Sequence, residues 1–428
     1  MTESPLRVMI VAEHASARFG GEAALPLHYY RVLRSRNIPV WLVTHARVRD
    51  ELQKAYPGDT DRIIYIEDTW IHRGLWRVGR LLPTRLAHFS TGYLLRIVTQ
   101  LVQRRIARRA IRSLGISIVH QPMPVSPKEP SLLYELGAPV VIGPMNGGMD
   151  FPPAFRQQKG ALVDRIVDVG RSAANFMNWL IPGKRRAAAL LVANGRTRDA
   201  LPTGMSANVI ELVENGVDLS LWKQSGLAQT YQAGEVTRFV FLGRLIGWKA
   251  VDLLLTAFAV ACKQAPMSLE VIGDGAAAAD LKSLANKLEL TATAEGEAGK
   301  VFFAGWMTQA DCAHRLAQQD CLILPSLMEC GGAVVLEAMA LGLPVIATDW
   351  GGPADYVDPS CGILIKPTSR AAMIEGLIDA MVRLAQSSTL RAAMGQAGRD
   401  KVLREFDWEA KVDRILAIYR EAIRSSQA

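Results

Sequence analysis

Between Cys321 and Val357 the chain reads CLILPSLMECGGAVVLEAMALGLPVIATDWGGPADYV, and few folds accommodate that order of residues. Cys321 to Leu324 is a short apolar run, as in a strand covered on both faces. Pro325 to Gly332 is a loop with one carboxylate, Glu329, and two adjacent glycines. Ala333 to Leu341 has a helical pattern and carries a second carboxylate, Glu337. Gly342 and Pro344 stop it in the order expected at a helix C-terminus. Val345 to Thr348 is a second apolar strand, leading into Gly351 and Gly352. Strand, glycine loop, helix and strand together describe a βαβ unit, and so an α/β fold.

The order of chemical groups in this unit is informative. Gly331 and Gly332 stand where a strand feeds a helix, so bare backbone N–H groups can face an anion. Glu329 precedes the helix and Glu337 lies inside it. Eight residues at about 1.5 Å each separate them by up to roughly 12 Å. An acid on either side of an anion site suits a ligand with hydroxyls at both ends and a phosphate bridge between, which describes a nucleotide sugar. The same spacing also fits an ordinary βαβ unit with one surface and one solvated carboxylate.

The rest of the chain repeats the alternation. Leu6 to Ala12 reads as a buried strand. A loop ending in Gly20-Gly21-Glu22 follows, then a helix from about Ala23 to Arg36 and a strand at Pro39 to Thr44. This is the opening of a Rossmann-like half. Further strands are expected at Ile63 to Ile66, Ile116 to His120, Pro139 to Ile142, Leu190 to Ala193 and Asn208 to Leu212. His120 and Asn146 fall just past carboxyl ends of strands, where an open α/β sheet binds ligands, although a histidine there can equally be a structural hydrogen-bonder. The polar stretch Lys223 to Glu235 fits a connection between domains.

A second half restarts at Arg238 to Leu242. Arg244 and Lys249 share the next strand-to-helix loop, where two cations can hold a diphosphate and neutralise a departing one. Two exposed basic residues on a loop are the plainer alternative. Leu269 to Ile272 runs into Gly273-Asp274-Gly275-Ala276-Ala277-Ala278, which matches a loose dinucleotide fingerprint and raises an NAD-dependent oxidoreductase as a rival. The fingerprint should open its domain, and an acid should end the next strand. Here it follows a complete βα unit, and Val301 to Ala304 runs into Gly305-Trp306. Helices are expected over Ala371 to Gln386, Leu390 to Arg404 and Val412 to Ile423.

A chain of 428 residues predicts two or three domains. No uncharged apolar run reaches the length of a membrane span, and the N-terminus lacks the features of a signal peptide. The five cysteines form no Cys-x-x-Cys pair, which argues against structural zinc or a disulfide framework and for a reducing cytoplasm. Cys330 reads as a small space-filling residue before a catalytic thiol. The net charge of +8 is uneven. From Thr69 to Lys128 there is no carboxylate, while arginines recur from Arg73 through Arg85 to Arg112, with Trp70, Trp76, Phe89 and Tyr93 among them. Leu95, Val98, Val102 and Ile106 recur at helical spacing, and Arg105, Arg108 and Arg112 share another face. Such a surface wants an anionic partner: a membrane, a phosphorylated acceptor or nucleic acid, the last without any accompanying recognition motif.

Glu329, seven intervening residues, Glu337 and then Ala-Met-Ala-x-Gly-Leu-Pro-Val-Ile-Ala-Thr resemble the signature of the retaining group-one glycosyltransferases of the GT-B fold, of the family-four type. The resemblance is strong from Phe239 to Ile365. It implies two Rossmann-like domains facing across a cleft, 1–215 on the acceptor side and 216–405 on the nucleotide-sugar side, with 406–428 crossing back to the first. It implies that Arg244 and Lys249 bind the donor diphosphate and that Glu329 holds hydroxyls of the transferred sugar. Backbone groups of Gly331, Gly332, Ala333 and Val334 would help, and Glu337 would bind the ribose. Gly20, Gly21, Asn146 and Gly273 would complete the donor site, and His120 corresponds to the family's histidine near the sugar. Where relatives read Glu-Gly-Phe-Gly, this chain has Glu-Cys-Gly-Gly, which bears on the sugar contact.

The implied reaction moves a hexose from a nucleoside diphosphate (UDP or GDP) to a glycan or lipid-linked acceptor with retention, as in cell-surface polysaccharide or glycolipid synthesis. No cofactor and no metal are expected, since no Asp-x-Asp motif stands near the site. The expected place is the cytoplasm, with the arginine-rich stretch as the candidate contact to the inner membrane face. A GT-B sugar-nucleotide epimerase and a non-catalytic nucleotide-sugar-binding partner are the alternatives.

Overall fold

The computed structural model describes residues 5–19, 21–81, 91–156, 174–205, 208–222 and 236–427. Gly20, Arg85, Phe89 and the expected connection at 223–235 lie outside these residues. The chain divides into two compact units. The first comprises Met1–Gly148, Gly160–Glu214 and Lys411–Ala428. The second comprises Met149–Lys159 and Asn215–Ala410. The division falls one residue before the expected boundary. The return to the first unit comes at Lys411 instead of residue 406, and a segment beginning at Met149 joins the second unit.

The first unit is built on a parallel sheet of seven strands: β1 (Val8–Val11), β2 (Val40–His45), β3 (Ile63–Ile66), β4 (Ile118–Gln121), β5 (Val140–Met145), β6 (Ala189–Val192) and β7 (Val209–Glu211). Their spatial order is β3-β2-β1-β4-β5-β6-β7. β1 is fully buried along VMIV, as a strand covered on both faces must be. Met9, Val11, Val43, Val119, Ile142 and Leu190 belong to one cluster of the core.

The second unit repeats the plan with six strands: β8 (Thr237–Leu242), β9 (Met267–Ile272), β10 (Val301–Gly305), β11 (Cys321–Leu324), β12 (Val345–Thr348) and β13 (Gly362–Ile365). The order is β10-β9-β8-β11-β12-β13, parallel throughout. In each sheet the order reverses once, between β1 and β4 and between β8 and β11. Such reversal points splay the loops at the strands' carboxyl ends and open a crevice for ligands.

The last helix, Trp408–Gln427, begins beside Val217 in the second unit, where Val217 N–H donates to Phe406 O at 2.8 Å. From Lys411 onward it belongs to the first unit, and Val412, Ile415 and Tyr419 are fully buried there.

The helix Thr91–Leu114 departs from expectation. Its buried side carries Thr99, Gln103, Ala107 and Ala110, while Leu95, Val98, Val102 and Ile106 are half-buried. Among the polar side chains there, Thr99 and Gln100 bond to neighbours, Thr99 to the His72 ring at 3.1 Å. The Gln100 side chain donates to Pro130 O at 3.2 Å and accepts from Leu132 N–H at 2.9 Å.

Candidate functional site

In the second unit the reversal point brings two sequence-distant loops together. The loop after β8 carries Arg244 and Lys249, and the loop after β11 carries Glu329. Leu327 N–H donates to Trp248 O at 2.8 Å, tying one loop to the other. Lys249 Nζ donates to Glu329 Oε2. The two side chains are 14% and 17% exposed, so the ion pair is screened from bulk water on most sides without being sealed. Arg244 leaves the same loop with its side chain exposed.

Glu329 is held by its surroundings. Gly332 takes a left-handed conformation, φ 74°, immediately before the helix Ala333–Ala340. A Cβ there would come within 3.0 Å of Glu329 Cγ, so glycine leaves the carboxylate its space. The loop after β12 locks the other side: Gly352 N–H donates to Glu329 O at 2.8 Å. A Cβ on Gly352 would lie 2.2 Å from Gly331 O. The two glycine pairs singled out in the sequence thus pack backbone to backbone. The Trp350 indole N–H donates to Asp150 O at 2.8 Å, securing the same loop to the Met149 segment.

The helix opened by Gly332 begins with Ala333 and Val334, whose N–H groups have no partner within the helix, as at any helix N-terminus. Glu337 lies one turn on, half-buried. Burial pushes its carboxyl up to about 7, against a smaller opposing effect from a hydrogen bond with Gln309. A carboxyl so poised gains from a ligand hydroxyl that replaces water as its donor. Gln309 opens the helix Gln309–Leu316 and was not singled out in the sequence. No motif marks it, and only the packing of that helix beside Glu337 reveals it.

Gly273 is positioned by backbone packing. Its φ is +135°, and a Cβ would sit 2.0 Å from Gly243 O. The glycines of the loose dinucleotide fingerprint therefore let the loop after β9 approach the loop after β8. Gly275 does the same against Leu245 O, at 2.4 Å.

Residues expected in the first unit sit differently. Gly21 begins the helix Gly21–Ser35 and is exposed. His120, read as a histidine near the sugar, is fully buried, and both its ring nitrogens are engaged. Nε2 lies 2.6 Å from Gly143 O and Nδ1 lies 2.7 Å from the Tyr419 hydroxyl. A carbonyl only accepts, so Nε2 carries the proton and Nδ1 accepts from Tyr419 Oη. Burial lowers the ring's pKa to about 4 and keeps it neutral. Tyr29 packs edge-on at 4.8 Å. His120 is thus a buried node joining β4, β5 and the last helix, which departs from the expected role.

Asn146 is likewise buried. It donates to Glu214 Oε1 and accepts from the Thr197 hydroxyl at 3.5 Å. Lys411 lies in the same polar cluster, donating to Val213 O, and burial lowers its pKa against the opposing pull of the Glu214 carboxylate.

Residues 228–401 match the family model described as glycosyl transferases group 1. Among curated relatives, the D-inositol 3-phosphate glycosyltransferase of Segniliparus rotundus is 32% identical over 226 residues, 50% of this chain and 47% of that protein. The GDP-mannose-dependent monoacylated alpha-(1-6)-phosphatidylinositol monomannoside mannosyltransferase of Corynebacterium glutamicum is 29% identical over 189 residues, 42% of this chain and 46% of that protein. The chain thus spans about half the length of the curated relatives it matches. Among solved structures, a glycosyltransferase from Rickettsia africae superposes with a TM-score of 0.66 over 98% of this chain and 99% of its own, at 16% identity. Paired acids set about a glycine-opened helix, the lysine meeting the first of them, and the family match over that same region lead to one conclusion: residues 228–401 are similar to the group 1 glycosyl transferases, and the chain has the GT-B fold.

Proposed function

We propose that this chain is a retaining hexosyltransferase that uses a nucleoside diphosphate sugar and needs no metal. The observation that carries the reading is the meeting of Lys249 and Glu329 at the reversal point of the second sheet, in the loop that leads into the helix carrying Glu337. Lys249 is a mobile point charge paired with a carboxylate, and a diphosphate competes for it with more negative charge. Arg244 adds a second cation from the same loop. The N–H groups at the start of the helix Ala333–Ala340 favour the same anion. Glu329, released from Lys249, accepts hydrogen bonds from hydroxyls of the sugar, and Glu337 accepts from the ribose.

In the reaction the acceptor oxygen bonds to the anomeric carbon on the face from which the diphosphate departs. The bond from that carbon to the diphosphate oxygen breaks, and the departing phosphate takes the acceptor's proton. The protein supplies position and positive charge. His120 has no part in this reading, because Gly143 and Tyr419 occupy both its nitrogens. Relatives named for an inositol phosphate and for a phosphatidylinositol mannoside support a phosphorylated or lipid-linked acceptor, in glycolipid or surface-glycan synthesis.

The test is thermal stabilisation by a panel of UDP- and GDP-sugars, followed by turnover on the best donor with and without EDTA. Stabilisation by one donor class and turnover unchanged by EDTA are expected. A panel without any stabilising member would overturn the donor assignment. Sustained loss of turnover in EDTA would overturn metal independence.

A further inference from the structure

We propose that the helix pair Trp70–Gly79 and Thr91–Leu114 seats this chain on an anionic bilayer. The inference stands apart from the donor site and rests on how the two helices divide their surfaces. His72 and Gly79 turn inward: His72 Nε2 lies 3.1 Å from Thr99 Oγ1, and a Cβ on Gly79 would come within 2.7 Å of Thr91 Oγ1. The shorter helix thus lies along the first turns of the longer one.

Its outward side has two arcs, read from the 3.6-residue period. Trp70, Ile71 and Val78 share one, continued by Leu81. Arg73, Arg77 and Arg80 share the next. Trp70 is 76% exposed and Leu81 85%, which is a large apolar area to leave in water on one short element. Trp76 sits at the edge of the basic arc, with the Arg80 guanidinium 5.0 Å from its ring centre.

The longer helix carries a matching stripe. Leu94, Leu101, Arg105, Arg108 and Arg112 recur at intervals of seven, four, three and four, one line along a helix, and all are exposed. The stripe is apolar beside the shorter helix and basic beyond it, where Arg108, Arg109, Arg112 and Ser113 line a shallow groove. The nearby acids are already engaged: Asp68 pairs with Arg47 and Glu129 with Arg96. Exposed tryptophans and aliphatics bordered by arginines without acids match the interface of a lipid layer, where the rings enter the headgroup level and the guanidinium groups meet phosphates. A nucleic acid uses the charge but leaves the aliphatic arc unexplained. No helix among the described residues is long and apolar enough to cross a membrane, so the contact is peripheral.

The experiment is flotation of the full chain with vesicles of phosphatidylcholine alone or mixed with phosphatidylglycerol, at low and high salt. Binding should be at least about tenfold stronger to the mixed vesicles and should weaken with salt. W70S/W76S and R105Q/R109Q/R112Q should each lower it about tenfold, with melting temperature and stabilisation by donor sugar unchanged. Should either variant fail to fold, quenching of tryptophan emission by brominated phosphatidylglycerol in the unaltered chain decides the matter. Equal binding to both vesicle types, retention of binding in both folded variants, or absence of quenching overturns the proposal. So does preferential capture by RNA that the tryptophan substitutions leave intact.

Discussion

At the reversal point of the second sheet, between β8 and β11, the loops present Lys249 and Glu329 to each other with part of each side chain open to solvent. Beside the corresponding point of the first sheet, β4 offers His120, and everything around it closes in. Tyr29 covers the ring, Gly143 O accepts from it and Tyr419 donates to it. Apart from the extra edge strand β7, the two sheets have the same strand order, and both put a polar side chain where such an order opens a crevice. One chain of contacts ends in groups able to exchange partners. The other ends in groups that already have them. Topology alone therefore nominates a place, and the unspent hydrogen-bonding capacity at that place decides whether chemistry can occur there.

The largest expected effect separates the two sites directly. Lys249→Ala should lower kcat about 10²- to 10³-fold, the usual loss when one charge-stabilising donor is removed, with the melting temperature close to that of the unaltered chain. A variant with full turnover breaks the comparison on the side of the second sheet. Tyr419→Phe should do the reverse. It leaves His120 Nδ1 buried without its donor, at a cost of about 1–3 kcal/mol, seen as a lower denaturant midpoint with the Kd for the donor sugar unchanged. Turnover that fell in Tyr419→Phe without loss of stability would restore His120 to the chemistry.

The smallest effects are in pH dependence and have opposite signs. Glu337 goes from 4.5 to about 7 on folding, so the folded state binds the extra proton between those values. Its contribution to stability falls as pH rises from about 4.5 to about 7. His120 goes from 6.5 to about 4, and the unfolded state binds the extra proton. Its contribution is full above about 6.5 and is lost as pH falls toward 4. On the proposed function, donor affinity should follow Glu337: its ionisation strengthens bonds to ribose hydroxyls, for an expected gain of about fivefold as pH rises through 7. Glu337→Gln should flatten that rise in a titration of Kd against pH. A rise that persists in the variant assigns it to another group.

Much of this was legible in the sequence for identifiable reasons. Strands covered on both faces are short unbroken apolar runs, so β11 and β12 stand at their expected bounds. Glu329 and Glu337 could be singled out because their spacing lies within one local unit. The meeting of Lys249 with Glu329 depends on β8 and β11 being neighbours, which no local pattern encodes. The local pattern left His120 open between a structural and a chemical part, because its partner, Tyr419, is 299 residues away. The inner face of Thr91–Leu114 was not legible, because Gln100 lies inside through hydrogen bonds to Pro130 and Leu132, partners that no hydrophobic period marks.

The helix Trp408–Gln427 carries an implication for how the molecule is made. Its Tyr419 completes the hydrogen bonding of a strand in the middle of the first sheet, and Val412 and Ile415 are buried in the same unit. A ribosome releases those residues only after the whole second unit has emerged. The amino-terminal half must therefore wait, with part of its interior open, while the carboxyl-terminal half forms independently. Nascent chains arrested before Lys411 should show a protease-resistant second unit beside a first unit that is still readily cut.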